Sequence, residues 1–91
     1  MASVIITLKI MPSSPNEDIS KIEIESKKII EKFEGKYYKT EIEPVAFGLN
    51  AIKIIFTLDE SRGSTDKLEE EISSLDGVNS VDIIGITRTF G

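Results

Sequence analysis

Hydrophobic and polar positions alternate from the start of the chain. Val4, Ile6, Leu8 and Ile10 interleave with Ile5, Thr7, Lys9 and Met11. A period of two with β-branched residues predicts a strand over Val4 to Met11, ended by Pro12. Its second face also begins apolar, as expected of a central strand. The period then changes. Ile19, Ile22, Ile29, Ile30 and Phe33 recur at helical spacing, with Ser26 filling the gap in the stripe. Ser14-Pro15-Asn16-Glu17 reads as a capping box, with serine as N-cap, proline at the first helical position and glutamate three residues on. Glu17, Asp18 and Glu23 precede Lys27, Lys28 and Lys32, a polarity that complements the helix dipole. Together these predict a helix from about Pro15 to Glu34, with Gly35 as its C-cap residue.

Alternation returns over Lys36 to Val45, where Tyr37, Tyr38, Thr40, Ile42 and Val45 interleave with Lys39, Glu41 and Glu43. This is a solvent-facing strand, and Pro44 suits an edge. Ala46-Phe47-Gly48-Leu49-Asn50 is the connection. Ile52, Ile54, Phe56 and Leu58 then mark a third, central strand. After the polar loop Asp59-Glu60-Ser61-Arg62-Gly63, Ser64 or Thr65 caps a second helix with Asp66 in its first turn. Leu68, Ile72 and Leu75 form its buried stripe, and Gly77 ends it. Val78 to Thr87 is the fourth strand, followed by a tail, Arg88-Thr89-Phe90-Gly91. The order β-α-β-β-α-β, with right-handed crossovers, gives a ferredoxin-like α+β sandwich. Its four-stranded antiparallel sheet carries both helices on one face. The chain is expected to be one domain, 1–91.

Composition changes the picture mainly by exclusion. The 91 residues include no Cys, His or Trp, and 16 acidic against 11 basic residues give a net charge of −5. No disulfide framework, thiolate nucleophile or zinc-thiolate site is possible. Ser-His-Asp and Cys-His chemistry are excluded with the histidine. The acidic balance opposes broad phosphate-backbone binding. The N-terminus lacks the features of a signal peptide, and no apolar run approaches a membrane span. A soluble, cytoplasmic domain is the expectation.

Individual motifs carry little bond chemistry. Glu69-Glu70-Glu71 cannot converge on one ion, because helical neighbours point ~100° apart. A solvated helix face is the better reading. Asp59, Glu60 and Asp66 flank a loop without the calcium-loop pattern, so no metal site is expected. Gly63-Ser64-Thr65-Asp66 opens a helix, but Asp66 would repel phosphate, which favours a cap over an anion site. The first strand has no aromatic, and Phe56 is in phase with Ile52 and Ile54, so the aromatic base-stacking platform of RNA-recognition modules is missing. Phe47, at a loop tip, is either a lid over the core edge or an exposed interface anchor. Arg88, beyond the last apolar run, is either a solubilising end or an arginine that reaches a partner's anionic site.

Several motifs, in order, carry a family likeness. Glu43-Pro44-Val45-Ala46-Phe47-Gly48-Leu49, followed by Ala51-Ile52, resembles the proline–aromatic–glycine segment of elongation factor 1-beta. Gly63-Ser64-Thr65-Asp66-Lys67-Leu68-Glu69-Glu70 resembles that family's helix start. Ser74-Leu75-Asp76-Gly77-Val78-Asn79-Ser80-Val81-Asp82, the ending Arg88-Thr89-Phe90-Gly91 and the opening Val4 to Pro12 are similar to its archaeal branch. The resemblance implies a ferredoxin-like fold, which agrees with the element order read from periodicity. It also implies guanine-nucleotide exchange on elongation factor 1-alpha, the GTPase that delivers aminoacyl-tRNA. Such a factor is no enzyme of bond chemistry and needs no cofactor, nucleic acid or membrane. In eukaryotic relatives the domain is the C-terminal part of a longer protein; here no scaffold domain is expected.

Carried over residue by residue, the resemblance assigns exchange roles to two positions. Phe47 matches the family's functional aromatic. The functional basic residue near the C-terminus, counted from Asp82-Ile83, falls on Arg88. It is a lysine in eukaryotes, and the tail here runs three residues further. Pro44, Gly48 and Thr65-Asp66 match motifs with turn and cap roles. The expectation is that a few basic and aromatic residues act together at one end of the molecule. The alternatives are a small-molecule-sensing regulatory domain on the same fold, or an adaptor that binds the GTPase without changing nucleotide release.

Overall fold

The computed structural model describes residues 2–59, 61 and 65–90. The expected elements Glu60, Arg62, Gly63, Ser64 and Gly91 lie outside the described residues. In chain order come β1 (Ala2–Pro12), α1 (Ile19–Lys32), β2 (Lys36–Pro44), a single 3₁₀ turn (Ala46–Gly48), β3 (Asn50–Asp59), α2 (Asp66–Ser73) and β4 (Val78–Phe90). The sheet order is β2-β3-β1-β4, and the pairs β1–β3, β1–β4 and β2–β3 are all antiparallel. This is the predicted βαββαβ sandwich, with β1 and β3 central and β2 and β4 at the edges.

Side-chain alternation decides which face is covered. Ile6, Leu8 and Ile10 of β1 and Ile52, Ile54, Phe56 and Leu58 of β3 are buried beneath Ile22 and Ile30 of α1 and Leu68 and Ile72 of α2. Phe56 is wholly buried, so the aromatic of the central strand belongs to the core. The opposite face carries the alternate residues, including Lys9, Lys53, Glu41 and Glu43. There Lys53 Nζ donates to Glu43 Oε2 at 2.9 Å, Lys9 Nζ lies 3.8 Å from Glu43 Oε1, and Lys39 meets Glu41 at 3.0 Å. The Lys53 hydrogen bond and charge hold the Glu43 carboxyl below its ordinary value. The Glu41 hydrogen bond and charge raise the Lys39 ammonium in the same way.

The helix ends depart from the sequence reading. α1 begins at Ile19, and Asp18, not Ser14, is the N-cap; its carboxylate accepts from Lys21 N–H at 3.1 Å. The chain from Ser13 to Glu17 instead makes a turn. Glu17 N–H donates to Ser14 O at 3.3 Å, and Asn16 N–H donates to the Ser14 hydroxyl. Ser13 N–H is meanwhile tied to Gly77 O at 2.7 Å. That tertiary tether directs the chain away from helical geometry, and the next acceptor side chain takes the cap. At the other end the left-handed residue is Glu34, at φ 66, rather than Gly35. Glu34 N–H donates to Glu31 O and Gly35 N–H to Ile30 O, both 2.9 Å, which is a Schellman closure. Gly35 is needed for closeness: a Cβ there would lie 2.7 Å from Ile30 Cγ2 and 3.2 Å from Leu58 Cδ2.

α2 starts after Thr65, but the Thr65 hydroxyl donates to Glu69 Oε2 at 2.7 Å instead of capping a backbone N–H. Leu68 and Ile72 are buried and Leu75 packs beyond the helix end. The fourth strand is longer than predicted. It runs through Arg88, which is therefore not on a tail but is paired opposite Val4. Thr87 and Thr89 continue the β-branched alternation, and β1 offers unpaired backbone as far as Ala2, so the ladder extends.

Candidate functional site

Phe47 occupies the tip of the β2–β3 hairpin. The strands close with Pro44 opposite Asn50, Val45 N–H donates to Leu49 O at 2.8 Å, and Leu49 N–H donates to Ala46 O at 3.3 Å. Within that closure Phe47 has φ 62 and ψ 29, and Gly48 has φ 75. Positive φ at two successive residues is the type I′ pattern, whose twist suits a tight hairpin and which usually carries Asn-Gly. Phe47 is 92% exposed, more than any other large hydrophobic among the described residues. It is thus no lid over the core edge. Of the two readings open for it, only the lid is removed by this exposure.

Arg88 lies on the exposed part of β4, two residues beyond Ile86. The register sets Ile86 opposite Ile6 and Arg88 opposite Val4, on the side of the sheet that carries the helices. A register shift at Thr7/Leu8 leaves Ile84 as an extra residue in β4. Ile84 and Ile86 are half or more exposed, so an apolar strip leads along the strand to the arginine. Periodicity alone could have found this strip, since Ile84, Ile86 and Arg88 are two residues apart.

The two predicted residues are not at one end. Ile10 pairs with Ile52, so Asn50 is level with Pro12, whereas Arg88 is level with Val4. Eight residues of β1 separate those levels, or ~26 Å at ~3.3 Å per residue. Phe47 projects further still, in a molecule whose longest dimension is 42 Å. The reason is topological. β3 and β4 are both antiparallel to β1, so both start at the hairpin-tip end of the sheet and the last residues of β4 fall at the other end.

Other candidates hold little chemistry. Among the described residues no three His, Cys, Asp or Glu side chains are grouped to hold a metal ion. Asp59 accepts from Ser61 N–H at 2.9 Å and from its hydroxyl at 2.8 Å, a local turn. Glu70 is exposed, while Glu71 is engaged by Lys32 Nζ of α1 at 2.9 Å, so the acidic run is a solvated face with one interhelical tie. A groove near the Arg88 end is lined mainly by polar groups, among them Ser3, Glu34, Lys36, Thr57 and Asp59; small-molecule sites are mostly apolar. No described helix is long and apolar enough to cross a membrane.

Comparison with known proteins gives one consistent answer. The family model described as "EF-1 guanine nucleotide exchange domain" matches residues 5–89. The chain is 38% identical to elongation factor 1-beta of Methanobrevibacter smithii over 88 residues, covering 97% of this chain and 98% of that one. It is 36% identical to elongation factor 1-beta of Methanocella arvoryzae over 90 residues, with 99% and 100% covered. The Metallosphaera sedula protein of that name is 37% identical over 91 residues, with 97% of each chain covered. Among solved structures, the ACT domain from a Chlorobium tepidum GTP pyrophosphokinase superposes with a TM-score of 0.61 at 13% identity, over 90% of this chain and 99% of that one. The de novo designed protein Foldit4 does so with a TM-score of 0.63, also at 13% identity, over 98% of each chain. Those two likenesses establish the fold alone.

Proposed function

The chain belongs to the EF-1 guanine nucleotide exchange domain family, the elongation factor 1-beta proteins, and from that premise we propose that it opens the nucleotide site of elongation factor 1-alpha through Phe47 and Arg88. Guanine-nucleotide exchange is the family's activity, and it makes and breaks no covalent bond. The cytoplasm is where a translation factor would meet this GTPase.

GTPases hold their nucleotide through phosphate-loop amides, a lysine and a bridging magnesium ion. The Arg88 guanidinium, brought near that ion's site, disfavours the ion electrostatically. The Phe47 ring, inserted between elements of the partner, shifts its switch region. Exchange follows if the factor binds the nucleotide-free state better than the GDP state, and by linkage GDP then weakens factor binding by the same ratio. The separation of the two residues makes these two contacts on different parts of the partner, not one combined thrust.

The observation that carries the reading is a bare aromatic ring, 92% exposed, at the position matching the family's functional aromatic. The test is release of a fluorescent GDP analogue from elongation factor 1-alpha. Wild type is expected to accelerate release. Phe47→Ala and Arg88→Ala should each lose roughly thirtyfold or more, the effect of truncating a hot spot worth ~2 kcal/mol. An unchanged release rate with wild type would remove the reading. Full activity of Arg88→Ala would remove only the arginine's role.

A further inference from the structure

Phe47 combines two properties that seldom coincide. Its backbone lies in the left-handed region, at φ 62 and ψ 29, and its side chain touches almost nothing. A left-handed conformation is disfavoured for any L-residue, and a bulky aromatic is a rare occupant. Such strain persists where the surroundings over-determine it. Here the surroundings are the closed hairpin: Pro44 opposite Asn50, the 2.8 Å bond from Val45 N–H to Leu49 O, and a glycine next in line at φ 75. Packing of the ring offsets none of the strain, because at 92% exposure the ring has no core to pack on. The residue that suits this backbone is asparagine, which would leave the fold no worse.

We infer that the turn Ala46–Leu49 is a presenter: two successive left-handed residues lock the Phe47 ring in its docking direction before the partner arrives, and Gly48 is the positioning residue that makes the lock possible. This rests on the exchange reading of Phe47 above. The surface that receives the ring is an apolar recess sized for one benzyl group. If Phe47 returned to a right-handed backbone, its Cα–Cβ bond would swing away from that direction. Only the fraction of molecules with the turn intact is competent, and apparent affinity falls by that fraction.

Gly48 offers a clean test because a Cβ there has room. Its nearest neighbours would be Pro15 Cβ and Cγ, both at 3.8 Å, so the cost of a side chain is backbone conformation and not collision. Release of the fluorescent GDP analogue is measured against factor concentration for wild type, Gly48→Ala and Gly48→Asn, with melting curves for each. Gly48→Ala should raise the half-maximal concentration more than twofold and up to about fivefold, the ratio that the ~1 kcal/mol cost of a left-handed alanine allows. The rate at saturation should stay within twofold of wild type. Gly48→Asn, which tolerates the left-handed region, should bring the half-maximal concentration back to within twofold. Phe47→Asn should melt about 5 °C above wild type while losing exchange.

A half-maximal concentration for Gly48→Ala within twofold of wild type overturns the proposal and leaves the exchange reading standing. So does a Gly48→Asn protein as impaired as Gly48→Ala, or a Phe47→Asn protein that melts below wild type. If wild type itself fails to accelerate release, the exchange reading falls and the proposal with it.

Discussion

Replacing Ser26 with alanine should stabilise this protein. Ser26 lies on α1 between Ile22 and Ile30, is wholly buried, and is the one buried side chain among the described residues whose hydroxyl has no hydrogen-bond partner. Burying an unpaired hydroxyl costs roughly 1–3 kcal/mol by mutational measure. Alanine removes that cost and gains up to about 0.5 kcal/mol in helix propensity. Against this stands an oxygen-sized void of ~10–15 Å³, which at ~24 cal/mol per Å³ costs about 0.3 kcal/mol. The net expectation is about 1–3 kcal/mol in favour of the variant. For a domain of this size each kcal/mol is worth roughly 4–8 °C in melting temperature. Urea unfolding followed by circular dichroism is the assay, and the slope m should not change, since the same surface is exposed. Ser26→Leu serves as the contrast. The site has no exposure to relax into, so overpacking should cost ~1–3 kcal/mol. An alanine variant with a midpoint at or below wild type would refute the reasoning, because the hydroxyl would then be contributing rather than costing.

Gly35→Ala should destabilise by roughly 1–3 kcal/mol, read as a lower urea midpoint, because its Cβ meets Ile30 and Leu58 at 3.2 Å or less. Glu43 has its folded-state pKa lowered by Lys53, so its contribution to stability is present above the ordinary glutamate range and is lost as pH falls through the lowered value. Carboxylate NMR titration of Lys53→Met should show Glu43 moving back up towards the ordinary value; no movement would contradict the ion-pair origin. Because Phe47 and Arg88 sit at opposite ends of the sheet, the losses of Phe47→Ala and Arg88→Ala in apparent affinity for the GTPase should multiply in the double variant.

Much of the fold is legible in the chain because its signals are local. The period-two runs of β1 and β3 and the helical stripes of Ile22–Ile30 and Leu68–Ile72 need only neighbouring residues to be read. Their order then allows few topologies. The site was legible differently. Phe47 and Arg88 stood out by likeness to a family, while the residues alone left lid against anchor, and solubilising end against reaching arginine. Exposure removed the lid reading of Phe47, and strand pairing put Arg88 on β4 and not on a tail.

What local signals could not supply depends on contacts between distant segments. Ser14 had the better capping motif, yet the bond from Ser13 to Gly77 moved the helix start to Asp18. Gly35 looked like a left-handed cap, yet Glu34 takes that conformation and Gly35 is small because Leu58 is near. Phe47 and Gly48 are both left-handed because β2 and β3 close around them, and Phe47 and Arg88 are far apart because β1 sets the register of both edges. The sequence by itself determined the elements, their order, the acidic balance and the exclusion of histidine and cysteine chemistry. Only the tertiary structure decided where helices begin, which backbone is strained and how far apart Phe47 and Arg88 lie, since each is a balance between a local preference and contacts with residues remote in the chain.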